Sequence, residues 1–256
     1  MGIEILGLLA ASAGASYGWW RLQRRRERKL LDVPRDPDLE VVLGVAQHEA
    51  MSRRHEYLWP LHLVHGLAQD ETFVAAITRL EGDATKLESF AQDELDKYAQ
   101  TQDEHSMTEG AHVVGVAFML ARGHGRSATC TDLWSRLART ETGKAAAAAA
   151  GVDPTALLFV LAHGMPEPTT ALPDRTDVHV VLRNDDYTTR DFVVAILRDV
   201  FDRAPDDAEA RMLKTHNEGR TIVGRFKLEV ARDKIESARR RARSEGYPLW
   251  IGVEDC

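Results

Sequence analysis

The chain has 256 residues, a formal net charge of -7, 44% hydrophobic residues and 29% charged residues, ordinary values for packed globular material in one large or two small domains. The acidic balance argues against nucleic acid as the main partner, because neutralising phosphates needs a basic face or stripe. Two cysteines, Cys130 and Cys256, make neither a disulfide framework nor a zinc-ligand spacing, so a reducing cytosol is the natural setting.

In chain order, residues 5–20 are uncharged, close with Tyr17, Trp19 and Trp20, and are followed by Arg21, Arg24, Arg25, Arg26, Arg28 and Lys29. A cleavable signal peptide carries its charge before the apolar stretch, whereas here the charge follows. The order predicts an anchor over residues 3–20, with a basic flank to residue 31 and the body of the protein on the cytoplasmic side of the inner membrane. Spanning takes about 20 apolar residues, which this run barely reaches. A segment lying in the membrane surface, or a soluble cytoplasmic protein, is the alternative. Residues 32–38 form a breaker-rich linker in which Asp36 or Asp38 is placed to cap a helix starting near Leu39.

From residue 38 to 164 apolar residues recur at spacings of three and four, as in Val41, Val42, Val45 and Leu61, Val64, Leu67. This predicts an all-helical region. Leu43-Gly-Val-Ala46 returns as Val114-Gly-Val-Ala117, Leu67-Ala68 as Leu137-Ala138, and the Gly82-Asp83 corner near Gly151 to Asp153. The offset marks two copies of a multi-helix unit closing on one core, not a solenoid. Between the copies, residues 101–109 read as a polar surface loop. Ala145 to Ala150 reads as an ordinary helix with a thin contact face. His48, His55, His62 and His65 lack metal-ligand spacing and are explained better by packing, so no metal is assigned.

Residues 165–177, rich in proline, are an extended linker. A second domain, 178–256, follows: a strand at 178–183, helices at 190–203 and 206–216, a strand at 221–226, a helix at 228–244 and a strand at 249–253. The fold class expected is therefore a double-repeat all-α domain followed by a small two-layer α+β domain. A unit that small has little interior to spare for a catalytic cavity, and surface recognition is the expected use.

Asn184, Asp185, Asp186, Tyr187 and Thr188 stand where a strand stops and a helix begins. By themselves they read as a turn, with Thr188 as helix cap. His216, at the end of the next helix and before Gly219, is expected to converge on the same sheet edge. An amide oxygen, a carboxylate and an imidazole nitrogen are the acceptors that would hold a protonated amine. The same Asp and His suit a hydrolase or metal site too, yet no nucleophile elbow, second ligand or glycine-rich phosphate loop accompanies them. No enzymatic activity and no cofactor are expected.

Val181-Leu-Arg-Asn-Asp-Asp-Tyr-Thr188, Met212-Leu-Lys-Thr-His-Asn-Glu-Gly219, Phe226-Lys-Leu-Glu-Val-Ala231 and Pro248-Leu249 closely resemble the ClpS adaptor family in order and spacing. The resemblance implies a fold of three strands and three helices that binds N-degron substrates, proteins with a large hydrophobic first residue, and hands them to the Clp AAA+ unfoldase. By matching positions, Asn184, Asp185 and His216 would hold the substrate's α-amino group. Thr188, Val193, Met212, Thr215 and Leu249 would line the side-chain pocket, and Glu229 and Lys234 would dock on the unfoldase. Arg190 stands where the family has a pocket-gating methionine. Its head must stay solvated or paired, with Asp186 or Asp191 as the expected partners.

Ala46-x-x-x-Ala50, Arg53-Arg-His-Glu56 and Pro60-Leu-His-Leu63, with the doubled unit, resemble the amino-terminal domain of ClpA-type Clp ATPases. No Walker sequence is present. The reading is an adaptor fused to the kind of platform on which it docks, delivering substrates at the membrane. The alternative is a regulator or scaffold that binds substrates or the unfoldase without delivery. The family's amino-terminal tail would correspond to the linker, here tethered at both ends.

Overall fold

A computed structural model describes residues 33–55, 57–98, 104–168 and 177–253. The predicted anchor over residues 3–20 and most of the predicted linker lie outside them. Among the described residues no single helix is long and apolar enough to cross a membrane. Chain contacts divide the protein into two compact units that meet between Asp153 and Pro154.

The helical region runs α1 (Pro37–Ser52), α2 (Pro60–Leu67), α3 (Glu71–Arg79), α4 (Ala84–Tyr98), α5 (Glu104–Gly123), α6 (Cys130–Leu137), α7 (Glu141–Ala149) and α8 (Pro154–His163). The repeat is visible as element order, since α1 to α4 are followed by α5 to α8 of matching sequence position. Asp36 caps α1, its Oδ1 accepting from the amide of Leu39 at 2.7 Å. Asp70 caps α3 and Thr140 caps α7 at the same place in each copy. Such caps satisfy amides that have no intrahelical partner and are worth about 1 kcal/mol each.

The paired positions share burial: Ala46 and Ala117, and Leu67 and Leu137, are all fully buried. The copies also touch, with Phe73 edge-on to Trp134 at 5.1 Å and the amide of Asp83 bonded to the carbonyl of Ala150 at 2.9 Å. A Cβ on Gly66 would lie 2.5 Å from the carbonyl oxygen of Val42, so α2 packs on α1 closer than any side chain permits. Ala146 and Ala147 are fully buried, the thin contact face expected of the alanine run. The polar loop predicted over 101–109 is not a loop throughout, because α5 begins at Glu104. Neither Gly nor Pro stands between 101 and 109 to stop a helix from growing back.

The second unit has β1 (Asp177–Arg183), α9 (Arg190–Asp199), α10 (Pro205–Glu218), β2 (Arg220–Lys227), α11 (Leu228–Ser244) and β3 (Ile251–Val253). β1 is central and antiparallel to both neighbours, in the order β2-β1-β3. Val178, Val180 and Leu182 face a core shared with Phe192, Ile196, Leu197, Phe201, Val223 and Ile235. Each such side chain contributes about 1.5–3 kcal/mol on burial. α9 stops at Asp199, short of the predicted Arg203, because Asp202 takes φ 54° and the amide of Arg203 turns back to the carbonyl of Leu197 at 3.0 Å.

One boundary differs from expectation. Residues up to 164 read as part of the first domain, yet α8 belongs to the second unit. The reason is packing: Phe159 is buried with Val181 and Trp250 on the sheet face turned away from the main core. His163 bonds to Pro248. Just beyond α8, Arg239 donates to the carbonyl of Pro168 at 2.6 Å and pairs with Glu167 at 3.5 Å, so the start of the linker is held on α11.

Candidate functional site

β1 ends opposite β2, Arg183 facing Arg220, and the next amide, that of Asn184, donates to the carbonyl of Gly219 at 2.8 Å. Gly219 closes α10 at φ 81°, a left-handed conformation that glycine adopts without steric cost. That turn sends the chain straight into β2 and leaves His216, in the last turn of α10, at the corner where Asn184 leaves the sheet. The structure thus brings together the strand end and helix end that the sequence placed far apart.

Asp185 organises the loop at this corner. Its Oδ1 accepts from the amides of Tyr187 at 2.8 Å and Thr188 at 2.6 Å, and its Oδ2 accepts from the Thr188 hydroxyl at 2.8 Å. A carboxylate offers about four acceptor positions, so one is left for an outside donor. The residue as a whole is half-buried, but its carboxyl end is enclosed, and burial pushes the carboxyl above the ordinary aspartate range against the pull of those three bonds. Thr188 is engaged by Asp185 and does not cap α9. That role falls to Thr189, whose hydroxyl accepts from the amide of Phe192.

His216 Nε2 lies 2.8 Å from Arg190 Nη2. A guanidinium only donates, so this nitrogen is the acceptor and the ring proton sits on Nδ1. Arg190 was expected beside Asp186 or Asp191; the partner it takes is the imidazole. From the first position of α9 the side chain spans the corner to the last turn of α10.

Around the corner, Val193 and Met212 are half-buried against the core, Leu249 is buried, and Thr215 is buried with its hydroxyl bonded to the carbonyl of Arg211 at 2.8 Å. Thr215 therefore satisfies its own polar group within α10. The two predicted docking residues differ. Glu229 is exposed and pairs with Arg232 at 3.2 Å, whereas Lys234 Nζ is 2.6 Å from both the Val200 carbonyl and Asp202 Oδ2, closing the carboxyl end of α9.

A surface depression of this unit is lined by His179, Val181, Asp207, Arg211, Lys214 and Ile222, among others. None of the amine-binding or pocket candidates lines it. Residues that sequence reasoning passed over are His163 and Tyr247. The Tyr247 ring packs on Phe192 at 4.6 Å and its hydroxyl is 3.3 Å from that of Thr189. Their roles depend on contacts across 58 to 85 residues, which leave no local pattern.

With this geometry, comparison with known proteins is informative. The family described as ATP-dependent Clp protease adaptor protein ClpS matches residues 174–252, and the Clp repeat (R) N-terminal domain matches residues 36–127. The ATP-dependent Clp protease adapter protein ClpS of Wolinella succinogenes is 43% identical over 77 residues, 30% of this chain and 76% of that protein. The protein of the same name from Nitratidesulfovibrio vulgaris (strain Miyazaki F) is 49% identical over 76 residues, with the same two shares, 30% and 76%. Among solved structures, Agrobacterium tumefaciens ClpS2 bound to L-phenylalaninamide superposes with a TM-score of 0.30 at 32% identity, covering 31% of this chain and 95% of that one.

Proposed function

Since the chain belongs through its carboxy-terminal unit to the ClpS adaptor family, we propose that it is a non-enzymatic adaptor that binds the first residue of N-degron substrates and delivers them to an ATP-dependent Clp protease. The observation that carries this reading is the corner itself: the Asn184 amide is bonded to the carbonyl of Gly219, which joins α10 to β2, with His216 in the last turn of α10 and Asp185 next along the chain from Asn184. Asp185 supplies charge, His216 and Asn184 supply acceptors, and a protonated α-amino group has three donors to spend on them. Val193, Met212, Thr215 and Leu249, with Thr188 and Arg190 at the rim, take the first side chain. Glu229 serves docking on the unfoldase.

The helical region contains the Clp repeat N-terminal domain. Fusion to the adaptor raises the effective concentration of one for the other wherever geometry allows contact. The apolar run at 3–20 with its basic flank supports action at the cytoplasmic side of the inner membrane. A second reading, substrate or unfoldase binding without delivery, is favoured by one observation. The segment leading into the adaptor, where the family has its tail, is held at Glu167 and Pro168 by Arg239.

The test is fluorescence anisotropy of peptides differing only in their first residue, Leu, Phe, Trp, Tyr, Arg or Ala, against the full chain and its Asp185→Asn variant. Asparagine is chosen over alanine because Asp185 also holds Tyr187 and Thr188, and alanine would confuse loss of the loop with loss of the charge. Tight binding of the large hydrophobic set, weakened about tenfold or more in the variant, is expected. Equal binding of all six overturns the proposal. Degradation of a bound reporter by Clp protease separates delivery from mere binding.

A further inference from the structure

Arg190 does more than vary the rim of a pocket. Its guanidinium sits 2.8 Å from His216 Nε2, on the acceptor that the proposed reading reserves for the substrate's α-amino group. That imidazole nitrogen has one lone pair, so the guanidinium and an incoming ammonium cannot both use it. When the ammonium takes the nitrogen, Arg190 loses its hydrogen-bond acceptor. Two positive charges then stand within a few ångströms at a corner whose enclosed carboxylate, Asp185, already accepts three bonds from its own loop.

A displaced arginine is stabilised by a carboxylate that arrives with the substrate. Consecutive Cα atoms are about 3.8 Å apart. With the first side chain in the pocket and the α-amino group at His216, the second residue is one Cα step away, so its side chain is within reach of a guanidinium displaced from His216. A planar fork of donors on a long stem suits a carboxylate there better than any other side chain. We infer that Arg190 makes this adaptor selective for substrates whose large hydrophobic first residue is followed by an acidic residue. The inference rests on the amino-terminal reading above and adds a second position to it. Arg190 thus acts on both sides of selection: it occupies the amine site in the free protein and rewards a substrate that neutralises it.

The experiment uses the full chain and its Arg190→Met variant, with peptides that begin Phe-Glu, Phe-Gln, Phe-Lys and Ala-Glu and are otherwise identical. The wild type is expected to bind Phe-Glu about threefold more tightly than Phe-Gln and about tenfold more tightly than Phe-Lys, the range of a partly exposed ion pair. The preference should shrink in 0.5 M salt, where the Debye length is only about 4 Å. In Arg190→Met the three Phe peptides should differ by less than about twofold, and Phe-Gln should bind more tightly than to the wild type because its competitor is gone. An unchanged preference in the variant, or equal binding of the three by the wild type, overturns the inference while leaving first-residue recognition intact. Phe-Glu binding no better than Ala-Glu in both proteins overturns the amino-terminal reading and the inference with it.

Discussion

His163 Nε2 lies 2.8 Å from the carbonyl oxygen of Pro248, so the last turn of α8 is bonded to the residue immediately before Leu249, a wall of the proposed pocket. Replacing His163 with alanine removes one hydrogen bond, worth about 1 kcal/mol, and leaves the Pro248 carbonyl to water. The thermal midpoint of the carboxy-terminal unit should fall by a few degrees, amide exchange at Trp250 and Ile251 should quicken, and hydrophobic peptides should bind several-fold more weakly. Normal protection at those amides would show that α8 does not order the wall.

Asp185 should give two opposite pH trends. Burial raises its carboxyl above the ordinary 3.8, so the folded state holds a proton more tightly there than the unfolded chain does. The stability this site contributes is fully present below 3.8 and is lost as pH rises through the raised folded value. Binding of an α-ammonium runs the other way, because it needs the carboxylate. As pH falls through the same window peptide affinity should drop while the wild type gains stability relative to Asp185→Asn. Calorimetric melts and anisotropy over one pH series check both signs.

Glu229 and Lys234 should separate in a docking assay. Reversing the exposed Glu229 to lysine is expected to weaken binding of a Clp unfoldase amino-terminal domain about tenfold or more while leaving the melt within about 0.5 kcal/mol. Lys234→Met strips the Val200 carbonyl and Asp202 of their partner and should cost about 1–2 kcal/mol of stability. Equal melts for the two variants would return Lys234 to the role of a simple surface contact.

In the helical unit, His62 is fully buried. Its Nδ1 accepts from the amide of Trp59 at 2.9 Å and its Nε2 faces His55 Nδ1 at 2.9 Å. Burial foremost, then the neighbouring His55, pushes its pKa down to about 3. The unfolded chain takes a proton near 6.5 that the folded unit refuses. Stability should therefore fall as pH drops from 6.5 toward 3, by on the order of a few kcal/mol. His62→Leu should be less stable at neutral pH and show a flatter slope below it.

Local pattern carried a large part of the architecture. α11 spans the predicted 228–244 because its apolar spacing and flanking strand residues agree, and of the two aspartates offered as cap for a helix starting near Leu39 it is Asp36 that caps α1, which starts two residues earlier at Pro37. The shortfalls share a cause. α8 was read with the first domain because nothing local says that Phe159 will pack on Val181 and Trp250. Arg190 was given nearby aspartates as partners because sequence proximity is all that a chain displays, while His216 is 26 residues away. The bond from Lys234 to the Val200 carbonyl had no signal in the sequence, because that carbonyl is available only once α9 has ended at Asp199. For the corner, residue types were legible; which of their lone pairs were already spent was not.

The bond from the Asp83 amide to the Ala150 carbonyl ties the corner after α3 to the corner after α7, and Phe73 seals the same junction against Trp134. Each copy therefore supplies a donor or ring for which the other holds the counterpart. Covalent continuity between α4 and α5 is then not what holds the copies together: fragments cut there are expected to re-associate through this junction when mixed.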